Sequence, residues 1–177
     1  IEMTKEGYPG IMEFSADVIK FAEKTGYVET MLGYKRYLKD INSSSEYNRF
    51  AAQRQAVNTP VQGTAADVTK MALNRLYNCY ISGRLDPSEV KVIATIHDEI
   101  AFEIKKMPIE KIDSVVAIIK ECMEAPICEG QNILHKAEPE IADPHDIYGI
   151  GYRNGWAEKY SFEKWRDKVV CKESSNQ

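Results

Sequence analysis

Two adjacent carboxylates, Asp98 and Glu99, follow His97 in the gap between two apolar runs, Val90–Ile96 and Ile100–Ile104. Runs rich in β-branched residues on both sides of so short a polar gap read as a tight antiparallel hairpin. Two-residue turns favour glycine and asparagine, which accept positive φ cheaply, and His-Asp is a poorer choice. A chain that keeps acids at the tip of such a hairpin holds them on a rigid support, open to solvent. Carboxylate oxygens there suit a hard cation such as Mg²⁺ or Mn²⁺. An acidic surface turn is the competing account of these three residues, since aspartate favours turns for local reasons.

A second set of residues, Arg54, Asn58 and Gln62, recurs at i, i+4 and i+8. On a helix they share one face, and all three donate hydrogen bonds from planar groups. Every base pair offers acceptors in the minor groove, so a row of donors there checks pair geometry without reading sequence. That is what a template copier needs; a solvated polar stripe is the alternative for an isolated helix. The net charge is −4, yet Gly33–Arg84 holds eight lysines and arginines against three aspartates and glutamates. A local basic field of this kind attracts phosphates even on an acidic protein.

The elements that must position these residues follow from periodicity and punctuation. Pro9 fits the first turn of a helix. Ile11, Phe14, Val18 and Phe21 then form one apolar stripe, ending near Thr25-Gly26. Tyr27–Leu32 and Tyr34–Leu38 flank Gly33 as a hairpin. Ser43 and Glu46 have capping-box spacing ahead of a helix through Ala51, Ala52 and Ala56. Pro60 is expected to kink or interrupt that helix. Val61, Ala65, Val68 and Ala72 restore an apolar face, with Gly83 as the stop. Ile112, Val115, Ile119 and Met123 mark another helix, stopped at Pro126. A strand is expected near Tyr148–Ile150. Phe162, Trp165 and Val169 form a short apolar repeat for packing or docking, followed by a tail, 174–177, that should fray. The fold class is α+β, helices packed on an antiparallel sheet.

The 177 residues suffice for one domain with a core, and 44% hydrophobic with 28% charged residues is ordinary for a soluble protein. No apolar run reaches the ~20 residues of a membrane span, and no signal peptide is visible. Cys79, Cys122, Cys128 and Cys171 form no C-x-x-C pair, which points to reduced thiols in a cytoplasmic protein. The first residue, Ile1, suggests a segment of something longer.

Residues 27–42 (YVETMLGYKRYLKDIN), 58–67 (NTPVQGTAAD) and 93–100 (IATIHDEI) together resemble the family A DNA polymerases of bacteria and phages, the last segment being similar to their motif C. Residues 138–156 loosely resemble the closing strand and final Gly/Trp stretch. The order and spacing match over most of residues 9–156. The resemblance implies an incomplete polymerase domain: an antiparallel palm sheet with packed helices and motif C in a hairpin turn. Residues 1–26 would end the fingers helices, 27–156 would form the C-terminal palm, and 157–177 would be an extension.

By the same resemblance, Asp98 is the motif C metal aspartate, Glu99 supports the site near the primer end and His97 contacts the primer strand. Arg54, Asn58 and Gln62 contact the minor groove near the growing pair, and Arg36 touches template phosphate. The implied chemistry is two-metal nucleotidyl transfer with Mg²⁺, on a DNA primer-template and a dNTP. The HDE triplet favours DNA polymerases over the related single-subunit RNA polymerases, in which serine usually follows the aspartate. Nothing here matches motif A, with the first metal aspartate, or the nucleotide-binding fingers helix. The chain alone is therefore expected to be inactive, needing an upstream polymerase segment as partner. A split phage enzyme in the bacterial or infected-host cytoplasm is one expectation; a non-catalytic nucleic-acid-binding remnant is the other. Residues 142–149 (ADPHDIYG) look like an insertion, with Asp143, His145 and Asp146 read as a polar loop in preference to a metal site.

Overall fold

The structure, a computed structural model, describes residues 8–131, 135–143, 145–151 and 159–175. The chain divides into two compact units, residues 1–68 and 69–177.

In the first unit, helix α1 (Pro9–Thr25) opens with Pro9 in its first turn. It stops where Gly26 turns left-handed (φ 78°) and donates its N–H to the Ala22 carbonyl at 2.8 Å. Strand β1 (Tyr27–Glu29) pairs antiparallel with β2 (Lys35–Tyr37), Val28 facing Arg36. Gly33, at φ 84°, supplies the reversal between them. Ala22, Val28, Leu38, Ile41, Ala52 and Ala56 make the core of this unit. The predicted stripe on α1 is helical, but Ile11, Phe14 and Phe21 are 52%, 41% and 42% exposed; Ala22 is the buried residue of the helix.

Helix α2 (Glu46–Ile81) runs unbroken for 36 residues. Three expectations change here. The capping box does not form: the Ser43 hydroxyl accepts the Ser45 N–H at 3.2 Å in a turn ahead of the helix. Glu46, the first helical residue, lies 3.8 Å from Arg49 instead. Pro60 does not interrupt the helix. A proline inside a helix costs about 3 kcal/mol locally, and the turns around it are held by tertiary burial of Ala52, Ala56 and Thr59. The hydroxyls of Thr59 and Thr64 donate to the carbonyls of Gln55 (2.6 Å) and Pro60 (2.5 Å). The third change concerns the buried face. Val61 and Ala65 are exposed, and the inward positions are Ala52, Ala56, Thr59 and Asp67, then Ala72, Leu76 and Cys79.

The second unit is built on the ribbon of β3 (Val90–Ile96) and β4 (Glu99–Ile104) and on helices α3 (Ile109–Glu124) and α4 (Phe162–Ser175). Ile109, Ile112, Val115, Ile119 and Cys122 of α3 meet Phe162, Trp165 and Val169 of α4 and Leu76 and Cys79 of α2 in one cluster. Arg166 ties α4 to α3 through both carboxylate oxygens of Asp113, at 2.6 and 2.8 Å. Ala125 turns extended (φ −62°, ψ 139°) because Pro126 follows it, and α3 ends there. Cys79 and Cys122 are free thiols with sulfurs 3.6 Å apart; burial foremost, and then the Cys79 contact, pushes the Cys122 thiol up to about 11.

The antiparallel element is three two-stranded ribbons among the described residues, the third being β5 (Glu140–Ile141) with β6 (Tyr160–Ser161). The strand expected at Tyr148–Ile150 is absent. Gly149 has φ 63°, and the Tyr148 hydroxyl reaches back to the Met107 backbone at 2.9 Å while its ring meets Trp165 edge-on at 5.1 Å. A side chain anchored in this way fixes a turn, where a strand would need ladder bonds. The tail residues 176–177 and Trp156, the expected end of the palm segment, lie outside the described residues.

Candidate active-site turn and nucleic-acid interface

The β3–β4 ribbon presents its turn on a packed support. Val90 is buried, and Val92, Ile100, Phe102 and Ile104 pack on the core of the second unit, alternating as a half-buried strand must. At the ribbon's base the Lys105 N–H donates to the Glu89 carbonyl at 2.9 Å. The register runs Val92↔Phe102 and then Ala94↔Ala101, so Ile93 is an extra residue, a bulge on β3. Ile96 pairs with Glu99, which leaves His97 and Asp98 as the two-residue turn. His97 takes φ 57°, a left-handed conformation that costs a non-glycine residue about 1 kcal/mol. Such outliers concentrate where a turn has work besides reversing the chain.

His97, Asp98 and Glu99 are all exposed. The side chain of Asp98 has no hydrogen-bond or ion-pair partner among the described residues. Glu99 is different. Lys159 donates to both of its carboxylate oxygens, at 2.8 and 3.0 Å, and lies 3.0 Å from Glu140 on β5. Its hydrogen bonds to Glu99 first, then to Glu140, hold the Lys159 ammonium above its ordinary pKa. Sequence reasoning missed Lys159: sixty positions separate it from Glu99, and no local pattern marks it.

Among the described residues no group of three or more His, Cys, Asp and Glu is arranged to hold a metal ion. Asp98 offers one open carboxylate of the right hardness for Mg²⁺, so this chain fits part of a metal site. Asp143, His145 and Asp146 belong to no helix or strand. The Asp143 carboxylate accepts the Ile147 N–H at 3.0 Å, and that of Asp146 accepts the Gly151 N–H at 3.1 Å.

In the first unit, Arg54, Asn58 and Gln62 stand exposed on α2, without side-chain partners among the described residues. Because the helix is continuous through Pro60, the three keep their common face. Arg54 and Asn58 line a shallow groove with Tyr47, Phe50 and Val57. Arg36 is exposed on β2, next to Lys35, whose ammonium sits 4.5 Å over the Tyr27 ring. The β1–β2 turn is fastened to α2 by a buried hydrogen bond from Thr30 to Asp67 (2.6 Å) and by the Met31 N–H to Thr64 (3.1 Å). Gly63 lets the turn approach: a Cβ there would sit 2.6 Å from the Thr30 methyl.

Comparison with known proteins places these units. The polymerase domain of Pol1 from M. smegmatis, solved with DNA primer-template and dNTP, superposes with a TM-score of 0.61 and 31% identity, over 68% of this chain and 20% of that one. The DNA polymerase family A model matches residues 1–142, and the chain belongs to that family. DNA polymerase I of Borreliella burgdorferi is 40% identical over 119 residues, 67% of this chain and 12% of that protein. The thermostable DNA polymerase I of Thermus thermophilus is 36% identical over 70% of the chain and 14% of its own length. DNA polymerase theta of Drosophila melanogaster is 36% identical over 66% of the chain and 6% of its own. The chain thus spans a small fraction of each of these relatives. Among the described residues no helix is long and apolar enough to cross a membrane.

Proposed function

We propose that this chain is the C-terminal palm part of a template-directed DNA polymerase, and that it contributes Asp98 to a metal site completed by an upstream segment. The observation that carries the reading is the His97–Asp98 turn: a carboxylate with no partner among the described residues, at the tip of a core-backed ribbon, in a chain of DNA polymerase family A. Bound Mg²⁺ ions would supply charge neutralisation and polarise the attacking and leaving oxygens. Asp98 would hold them from one side, and the second carboxylate would come from the partner's motif A. Glu99 would support the site beside the primer end, and His97 would touch the primer strand. Arg54, Asn58 and Gln62 would donate to minor-groove acceptors next to the growing pair, and Arg36 would meet a template phosphate. Positioning and electrostatics dominate this chemistry, so rigid support of the turn is the fold's main contribution.

Primer extension with Mg²⁺ and dNTPs tests the reading, using the chain alone, the chain with a polymerase segment carrying motif A and the fingers, and the same mixture with Asp98→Ala. Extension is expected only in the complete mixture, with Asp98→Ala lowering it roughly a hundred- to a thousandfold, the scale on which loss of a central electrostatic group acts. Extension that survives Asp98→Ala, or none in a mixture shown to associate, would leave a non-catalytic nucleic-acid-binding remnant as the better account.

A further inference from the structure

The contact on Glu99 gives Lys159 a part that the family match, ending at residue 142, does not contain. An ammonium has three N–H donors. Three acceptors surround this one: both oxygens of Glu99 at 2.8 and 3.0 Å and one oxygen of Glu140 at 3.0 Å. The side chain of Lys159 is only 25% exposed, against 56% for Glu99, so the lysine is the better fixed partner. Its backbone immediately precedes β6, which pairs with β5, where Glu140 lies. The lysine, just ahead of β6, and Glu140 on β5 therefore come from one end of one ribbon and grip a residue at the tip of another.

We propose that Lys159 is a positioning residue for the active-site turn: it draws the Glu99 carboxylate onto the β5–β6 ribbon and leaves Asp98 as the one carboxylate of the turn open to a cation. The proposal rests on reading Asp98 as a metal ligand. Two neighbouring carboxylates at an exposed turn would otherwise compete for the same ion, and a cation drawn to Glu99 would sit one residue away from its working position. With its charge met by Lys159, Glu99 is withdrawn from that competition. The turn is also tied down at its C-terminal flank, where Glu99 pairs with Ile96.

The test uses the full chain carrying Lys159→Met, Lys159→Arg or Glu140→Gln, with Mn²⁺ as a paramagnetic probe and the amide and carboxylate resonances of residues 96–100 as reporters. In the unaltered chain Mn²⁺ should broaden Asp98 selectively. Lys159→Met should spread the broadening equally to Glu99, tighten Mn²⁺ binding at least threefold, and speed amide exchange at Glu99 about tenfold. Lys159→Arg should restore the unaltered pattern, and Glu140→Gln should shift it in the Met direction by less. In the complemented extension assay Lys159→Met should lower kcat about tenfold with the KM for dNTP unchanged, again recovered by arginine. If Mn²⁺ leaves Asp98 untouched both in the unaltered chain and in its mixture with the segment carrying motif A, both this proposal and the metal-ligand reading fall. If Asp98 responds but Lys159→Met changes neither the Glu99 broadening nor the affinity, or arginine fails to restore them, the positioning role alone falls.

Discussion

Arg36, Arg54, Asn58 and Gln62 look alike as exposed donors, yet the proposed function gives them different work. Arg36 stands on a strand beside Lys35, whereas the other three share one face of a helix. A guanidinium neutralising a phosphate releases a counterion, and a neutral amide donating to a base edge does not. Arg36→Ala should therefore weaken primer-template binding by the chain and reduce the slope of log affinity against log salt by about 1. Gln62→Ala should weaken binding by about 1 kcal/mol with the slope unchanged. Fluorescence anisotropy at four or five salt concentrations separates the two; equal slopes for both variants would remove the phosphate role. Residue types and spacing alone singled out the helix row and the acidic turn. What they left out was occupancy: the Glu99 carboxylate is held by Lys159, sixty residues away.

At the level of elements, the sequence was legible where the physics is local. Gly26 and Gly83 follow helices that stop at Thr25 and Ile81, and both hairpins appear where apolar runs flank a short break. Helix α2 was legible only in part, because its inner face is decided by a strand turn 37 residues away. Thr30 and Asp67 bury a hydrogen bond there that no periodicity of apolar residues announces. Gly63 is the clearest sign of this packing. Alanine normally stabilises a helix by about 1 kcal/mol relative to glycine. At Gly63 its methyl would overlap the Thr30 methyl, which the Asp67 hydrogen bond prevents from rotating away. Overpacking costs roughly 1–3 kcal/mol. Gly63→Ala should thus destabilise the chain by about 1 kcal/mol net in chemical denaturation. Adding Thr30→Ser, which removes the methyl and keeps the hydroxyl, should reverse the sign. A double variant no more stable than Gly63→Ala would contradict this account of the contact.

Across the whole molecule, the part beyond the family match is also structural. Trp165 and Val169 of α4 are each 1% exposed, and they complete a core that includes the support of the β3–β4 ribbon. Three apolar residues in the tail marked that stretch for packing or docking; the place it docks was not visible, because its ion pair to Asp113 spans 53 positions. The same core sets a pH response. The Cys122 thiol, with an ordinary value of 9.0, titrates at about 11 in the fold, so the folded state keeps a proton that the unfolded chain loses first. Stability is fully present below pH 9 and declines as pH rises from 9 to 11. Denaturation curves across that window should show the decline reduced in Cys122→Ala, and an unchanged decline would assign it to other groups. The extra residue at Ile93, described above as a bulge, has a further consequence that is colloidal. Residues 90–96, VKVIATI, are mostly β-branched, free of proline and carry a single charge, with Ile93 and Ile96 half exposed along a ribbon edge that pairs with no other strand among the described residues. Such a strip is a template for self-association between copies. Lys91 and the bulge are the two gatekeepers on it, one by charge and one by breaking the flatness that stacking requires. Lys91→Ala should shorten the time a concentrated solution of the chain stays clear by light scattering, and an unchanged time would remove that role.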